Sequence, residues 1–198
     1  MSRVSRAQAE ENRQRVVATA SRMFREKGTA VSVADLMKAC GLTHGGFYKQ
    51  FASKEDLIDE AIAHAFDDPA AHSVIAADEL GTEHESARQT FIERYLSPWH
   101  RDHAANGCPV SGFAADLGRK GDHAGRAPDR YIEGIRNLAA QMATDDDDGL
   151  AQFCTMVGAL ALARATSGDP ISEQLLGAAR TALSREGNGR SEPEQRTS

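Results

Sequence analysis

At 198 residues the chain can hold a small domain and a larger one, and its formal net charge of −6 is unevenly spread: residues 1–54 carry ten Lys or Arg against four Asp or Glu, the other 144 carry 13 against 25. A basic head on an acidic body suits a nucleic-acid partner, because phosphate attraction acts only through charges close to the backbone. No stretch approaches the roughly 18 to 20 uninterrupted apolar residues of a membrane span, the polar N-terminus shows no signal-peptide pattern, and Cys40, Cys108 and Cys154 are too few and too far apart for a disulfide framework, so a cytoplasmic protein with reduced thiols is expected.

The first informative stretch is Ala30 to Leu57. Ser32 stands before Val33, Leu36, Met37 and Cys40, the spacing of a helix with one buried face, and Asp35 lies three residues after it as in a capping box. Gly41 suits the positive φ that ends such a helix, and Thr43 can cap the next one two residues later. Ser53, three before Asp56, caps a further helix from Lys54 to Ala65, striped by Leu57, Ile58, Ala61, Ile62 and Ala65. After Pro69 the stretch 70–82 is weakly patterned, helix or loop. Further helices are expected at Glu83–Leu96, Pro109–Leu117, Pro128–Met142, Gly149–Thr166 and Ile171–Arg185. No strand alternation is visible. The chain reads as all-α, with a helix-turn-helix head at 1–54, a helical ligand-binding and dimerisation body at 55–186 and a polar tail, 187–198, expected to be disordered.

The run Gly41-Leu42-Thr43-His44-Gly45-Gly46-Phe47-Tyr48, with Phe51 and Ser53-Lys54-Glu55-Asp56-Leu57, resembles the signature of the TetR/AcrR family of bacterial transcriptional regulators. Val16, Val17, Ala20, Met23 and Phe24 before Gly28 fit that family's first helix, so the resemblance covers about residues 10 to 66. More loosely, Asn106-Gly107-Cys108-Pro109 and the stretch from Leu160 to Ser172 are similar to the C-terminal domains of some members. The resemblance implies a three-helix DNA-binding domain, a four-helix dimer interface from the two final helices, and phosphate contacts from Ser32, Thr43, Tyr48 and Lys54.

With Thr43 as cap and 100° per residue, Phe47 and Phe51 share the core side, while Gly45, Gly46 and Lys49 face outward with Tyr48 and Gln50 on the flanks. Two outward glycines cost about 1 kcal/mol each in helix propensity. They make sense if the backbone must lie close to the major-groove floor, leaving Lys49 and Gln50 as the donors to base edges, with His44 in the same turn. Family members usually carry a side chain at the position of Gly46. Arg3 and Arg6, on an N-terminal arm, can reach an adjacent minor groove.

In the body, Gly149–Thr166 is apolar nearly all round, with Gln152 and Thr155 as its clearly polar side chains up to Ala163. Such a helix needs cover on more than one side, and the same helix of a second subunit supplies it, joined by Leu175, Leu176, Ala179, Ala182 and Leu183. A homodimer through residues 149–185 is expected. Phe91, Tyr95 and Trp99 fall at i, i+4 and i+8 if the helix passes Pro98; with Phe113 and Tyr131 they are either core or the walls of an effector cavity. Cys108, at a turn that opens a helix through Pro109, feels the helix N-terminal field, which favours thiolate, so the effector is expected to be a small molecule or an electrophile acting at Cys108. Zinc at His100, His103 and Cys108 lacks a fourth ligand, and the Asp145–Asp148 run is a loop or helix start of solvated charge, so neither metal nor cofactor is expected. The expected function is a dimeric regulator, a repressor freed from its operator by that effector. The alternative is a thiol-dependent or zinc-assisted enzyme centred on Cys108, weakened because no base–nucleophile pair or phosphate loop is visible.

Overall fold

A computed structural model describes residues 6–69, 71, 84–119 and 129–188. The helices run α1 (Arg6–Lys27), α2 (Val33–Ala39), a 3-10 helix (His44–Lys49), α3 (Lys54–Asp67), α4 (His84–Tyr95), α5 (Pro98–Asp102), a 3-10 turn (Ala104–Asn106), α6 (Pro109–Arg119), α7 (Asp129–Ala140), α8 (Leu150–Ala165) and α9 (Pro170–Asn188). Among the described residues there is no strand, only an isolated bridge between Thr144 and Asp147, and no helix is long and apolar enough to cross a membrane. The fold is all-α, as expected. The 70–82 stretch, Arg3 and the tail beyond Asn188 lie outside the described residues. Arg6 is not on an arm but is the first residue of α1, and α9 continues through Gly187 and Asn188, where the tail was expected to have begun.

The chain divides into two compact units, Met1–Ser73 with His103–Ile135, and Val74–Asp102 with Arg136–Ser198. In the first unit, Val16, Val17, Ala20 and Phe24 of α1 meet Leu36 and Met37 of α2, Phe47 and Phe51, and Leu57, Ile58, Ala61 and Ile62 of α3, all buried. The apolar residues of α1 recur every three or four positions because a 3.6-residue turn brings only those to one face.

The same unit includes α6. Arg25, 4% exposed in the last turn of α1, donates from Nη1 to the Gly107 carbonyl at 3.0 Å, from Nη2 to Asp68 Oδ2 at 3.1 Å and from Nε to the Ser21 carbonyl at 3.2 Å. Burial pulls the Arg25 pKa below its ordinary value, and the Asp68 carboxylate opposes that. A buried guanidinium is tolerable only with such partners. Beside it, Asp116 of α6 accepts from the Thr29 amide at 2.8 Å and from Arg119 at 2.7 Å.

In the second unit, α8 packs against α9, α4 and α5. Phe91 and Tyr95 of α4 are buried, and the Tyr95 ring stands edge-on to Phe153 and to His100, with centroids 6.0 and 4.7 Å away. The Asp145–Asp148 run proves to be a helix start as well as charge: Asp147 accepts from the Gly149 amide and the Gln152 side chain, and Asp148 from the Leu150 amide.

Candidate nucleic-acid interface

Ser32 is the N-cap of α2: its Oγ accepts from the Asp35 amide at 3.1 Å and donates to Asp35 Oδ2 at 2.6 Å. The helix ends in a left-handed Gly41, φ +69°, with Leu42 N–H bonded to the Met37 carbonyl and Gly41 N–H to Lys38. That pair of bonds closes the last turn and needs a residue free of Cβ strain. Ser53 likewise caps α3, its Oγ accepting from the Asp56 amide at 3.0 Å.

The segment between them differs from expectation. His44–Lys49 is a 3-10 helix rather than an α-helix, and Thr43 occupies the cap position through its backbone, without a side-chain cap bond. Two adjacent glycines weaken α propensity, and a six-residue piece gains few i→i+4 bonds, so the tighter i→i+3 pattern wins. At three residues per turn, Gly45 lines up with Tyr48, Gly46 with Lys49, and His44 with Phe47 and Gln50. Phe47 is fully buried, Tyr48 is 64% exposed, and His44, Gly45 and Lys49 are exposed. Gly46 turns partly inward, where a Cβ would sit 3.5 Å from Met37 Cε, whereas a Cβ on Gly45 would meet nothing within 4 Å among the described residues. Gly45, not the pair, marks the open face.

Gln50 is the C-cap of this piece and half-buried, with its Oε1 enclosed and without a hydrogen-bond partner among the described residues. It does not stand out beside Lys49 as the sequence suggested. Lys54, half-buried, opens α3, where its charge opposes the helix dipole. Ser32, Thr43, His44, Gly45, Gly46, Tyr48, Lys49, Gln50 and Lys54 all lie on α2, the 3-10 helix, the start of α3 and the turns between them.

One contributor was not visible in the sequence. Arg13 of α1 is hydrogen-bonded to Glu60 of α3, and its guanidinium carbon lies 4.9 Å from the centre of the Phe51 ring. Phe51 stacks on Phe47 at 5.3 Å, Phe47 meets Tyr48 edge-on at 5.1 Å, and Tyr48 meets His44 at 6.0 Å. Only folding brings position 13 to position 51, so no local spacing announces this row.

The residues expected around an effector divide between the units. Phe91 and Tyr95 are core residues of the second unit. Trp99 does not extend their row: α4 stops at Tyr95, Ser97 caps α5 by accepting from the His100 amide, and Trp99 stands 47% exposed. Phe113, Tyr131 and Cys108 belong to the first unit and are buried. The Tyr131 hydroxyl donates to the Val110 carbonyl at 2.9 Å, and burial raises its pKa above the ordinary tyrosine range. Cys108 is 1% exposed; its carbonyl accepts from the Gly112 amide and Ser111 Oγ, and it lies within electrostatic reach of Arg25. His100 is buried, its Nδ1–H donating to the Tyr95 carbonyl at 2.7 Å, and burial lowers its pKa from 6.5 to about 4. Among the described residues no group of three His, Cys, Asp or Glu is placed to hold a metal.

Residues 16–61 match the profile described as bacterial regulatory proteins, tetR family. The HTH-type transcriptional regulator AcrR of Shigella flexneri is 36% identical over 61 residues, 30% of this chain and 28% of that protein. Residues 16–61 are thus similar in sequence to the N-terminal domain of tetR-family regulators. Among solved structures, a TetR transcriptional regulator from Chloroflexus aurantiacus is 21% identical, with a TM-score of 0.66 covering 92% of this chain and 96% of that one. AibR, in complex with isovaleryl coenzyme A and operator DNA, is 14% identical with a TM-score of 0.53, covering 87% of this chain and 97% of that one. The likeness to the solved structures concerns the fold alone, and the sequence match to AcrR spans little more than a quarter of that relative. The residues that match the profile include the Ser32 and Ser53 caps and the exposed Gly45 and Tyr48.

Proposed function

We propose that the chain is a dimeric, sequence-specific DNA-binding transcriptional regulator, a repressor released from its operator by a small molecule or by modification of Cys108. The observation that carries this reading is the short 3-10 helix, which buries Phe47 and turns Gly45, Tyr48 and Lys49 outward from a basic head. Lys49 reads base edges, with Gln50 joining once its amide turns outward. Ser32, Thr43, Tyr48 and Lys54 hold phosphates, and His44, Gly45 and Gly46 line the contact. Function divides as head 1–54, body 55–186 and tail 187–198.

A second copy is the proposed cover for α8. Leu150, Ala151, Cys154, Thr155, Gly158, Ala161, Leu162 and Ala165 are exposed along one stripe of that helix, Leu162 by 55%, and Ile171 and Ala178 are exposed on α9. An uninterrupted apolar and small-residue face of this length suits an isologous interface. Two heads then occupy successive major grooves, about 34 to 36 Å apart.

For release, the relative crystallised with both an acyl coenzyme A and operator DNA supports small-molecule control within this fold. Phe91, Tyr95 and Trp99 in one unit, and Phe113 and Tyr131 in the other, are the aromatic contacts proposed for such effectors. Modification at Cys108 requires its turn to open, which breaks the Arg25–Gly107 bond. If Cys108→Ser still leaves DNA normally after treatment with quinones, aldehydes or hypochlorite, the thiol route is wrong.

The deciding experiment is anisotropy binding to the duplex upstream of the reading frame, against a scrambled duplex and across salt. Tighter binding to the former, with a log–log slope approaching about −0.9 per neutralised phosphate, is expected. Equal, salt-insensitive binding overturns the reading. Turnover of an electrophilic substrate abolished by Cys108→Ser would instead favour a thiol enzyme.

A further inference from the structure

We propose that Arg13 is a positioning residue for DNA reading: tied to Glu60 and seated on Phe51, it fixes the aromatic row that orients Tyr48 and His44. The proposal rests on the DNA-binding reading above and adds to it a residue outside the reading segment.

The argument begins with the weakness of that segment. A six-residue 3-10 helix carrying two glycines has little rigidity of its own. Its orientation therefore depends on what holds Phe47 and Phe51. From below, these rings rest on the head's core. From α1, the planar guanidinium of Arg13 lies over the Phe51 ring, the geometry in which the ring's negative face attracts a cation. Glu60 of α3 holds the guanidinium through its carboxylate.

Both charged side chains are 35% exposed, so the ion pair alone contributes little to stability. Its effect is geometric. Arg13 ties α1, α3 and the Phe51 ring together at one point, and from Phe51 the contacts pass to Phe47 and then to exposed Tyr48. A base-edge contact needs an accurately aimed side chain, whereas phosphate attraction tolerates looseness. Loss of Arg13 therefore costs specific binding and spares non-specific binding.

The test uses a duplex enriched from a random-sequence pool by the full-length wild-type chain, with a scrambled duplex as comparison. Arg13→Met preserves length and helix propensity, and thermal melting checks that it folds. Expected is an about five- to tenfold loss on the enriched duplex, little change on the scrambled one, and an unchanged salt slope. Arg13→Lys, which keeps a cation for Phe51 and Glu60, recovers part of the loss, and Glu60→Gln reproduces it in weaker form. Equal loss on both duplexes with a slope shallower by about 0.9 makes Arg13 a phosphate contact and overturns the proposal. So does unchanged binding, or a Lys variant no better than Met. If wild type enriches no sequence, the DNA-binding reading itself falls, a failure seen before any variant is made.

Discussion

At Gly45 nothing among the described residues stands within 4 Å of where a Cβ would lie, so none of them requires a glycine there. Alanine is the better helix former by about 1 kcal/mol, and Gly45→Ala should leave the melting temperature unchanged or raised. If the DNA backbone or base edges approach this face closely, the same variant loses DNA affinity at least about tenfold in the anisotropy titration; a variant that binds as wild type would show that Gly45 faces open solvent in the complex too. His100 yields a second prediction. Its folded pKa is lowered to about 4 by burial, with Arg164 opposing protonation further, while the unfolded value is 6.5. Between those values the unfolded state binds more protons, so stability rises with pH across about 4 to 6.5 and falls on acidification, by up to about 3 kcal/mol. Below pH 4 this group adds no further change. Denaturant titrations at several pH values should show the slope, and His100→Asn should flatten it.

Helix boundaries were legible because their determinants are local. Ser32 and Ser53 cap the helices they were expected to cap, and Gly149–Thr166 contains α8 to within a residue at each end. What was illegible depended on geometry that sequence spacing does not carry. The switch from 3.6 to three residues per turn moved Gly46 off the open face and drew Gln50 partly inward. The stop at Tyr95 detached Trp99 from a row that its i+8 spacing had suggested. Arg13 is an ordinary charge until α1 and α3 are placed side by side. Gly134 of α7 belongs to the same group: a Cβ there would lie 2.1 Å from Phe66 Cε1 of α3, so the two helices meet where only hydrogen fits. Gly134→Ala should cost about 1 to 3 kcal/mol through overpacking, read as a lowered thermal midpoint, although alanine is the better helix residue. A raised midpoint would mean that Phe66 moves aside without penalty.

At the scale of the whole molecule, the exposed stripe of α8 sets the expected assembly. Gly158 and Ala161 sit on it, both exposed, and glutamate at either position buries charge in any self-association through that face. Gly158→Glu or Ala161→Glu should shift the chain from dimer to monomer in sedimentation velocity, with a large loss of affinity for a two-half-site duplex and little for a single half-site. A dimer that persists would place the interface elsewhere. The buried Arg25 has a different consequence, for portability. Its partners Asp68 and Gly107, like the Thr29–Asp116 bond nearby, come from stretches far apart in sequence that fold as one unit. A chimera made by a single cut after residue 73 would leave the Arg25 cation without the Gly107 carbonyl and the Thr29 amide without its carboxylate. A reading head transplanted between relatives of this fold therefore keeps its buried partners only when residues 103–135 travel with it, as two separated pieces of chain inherited together.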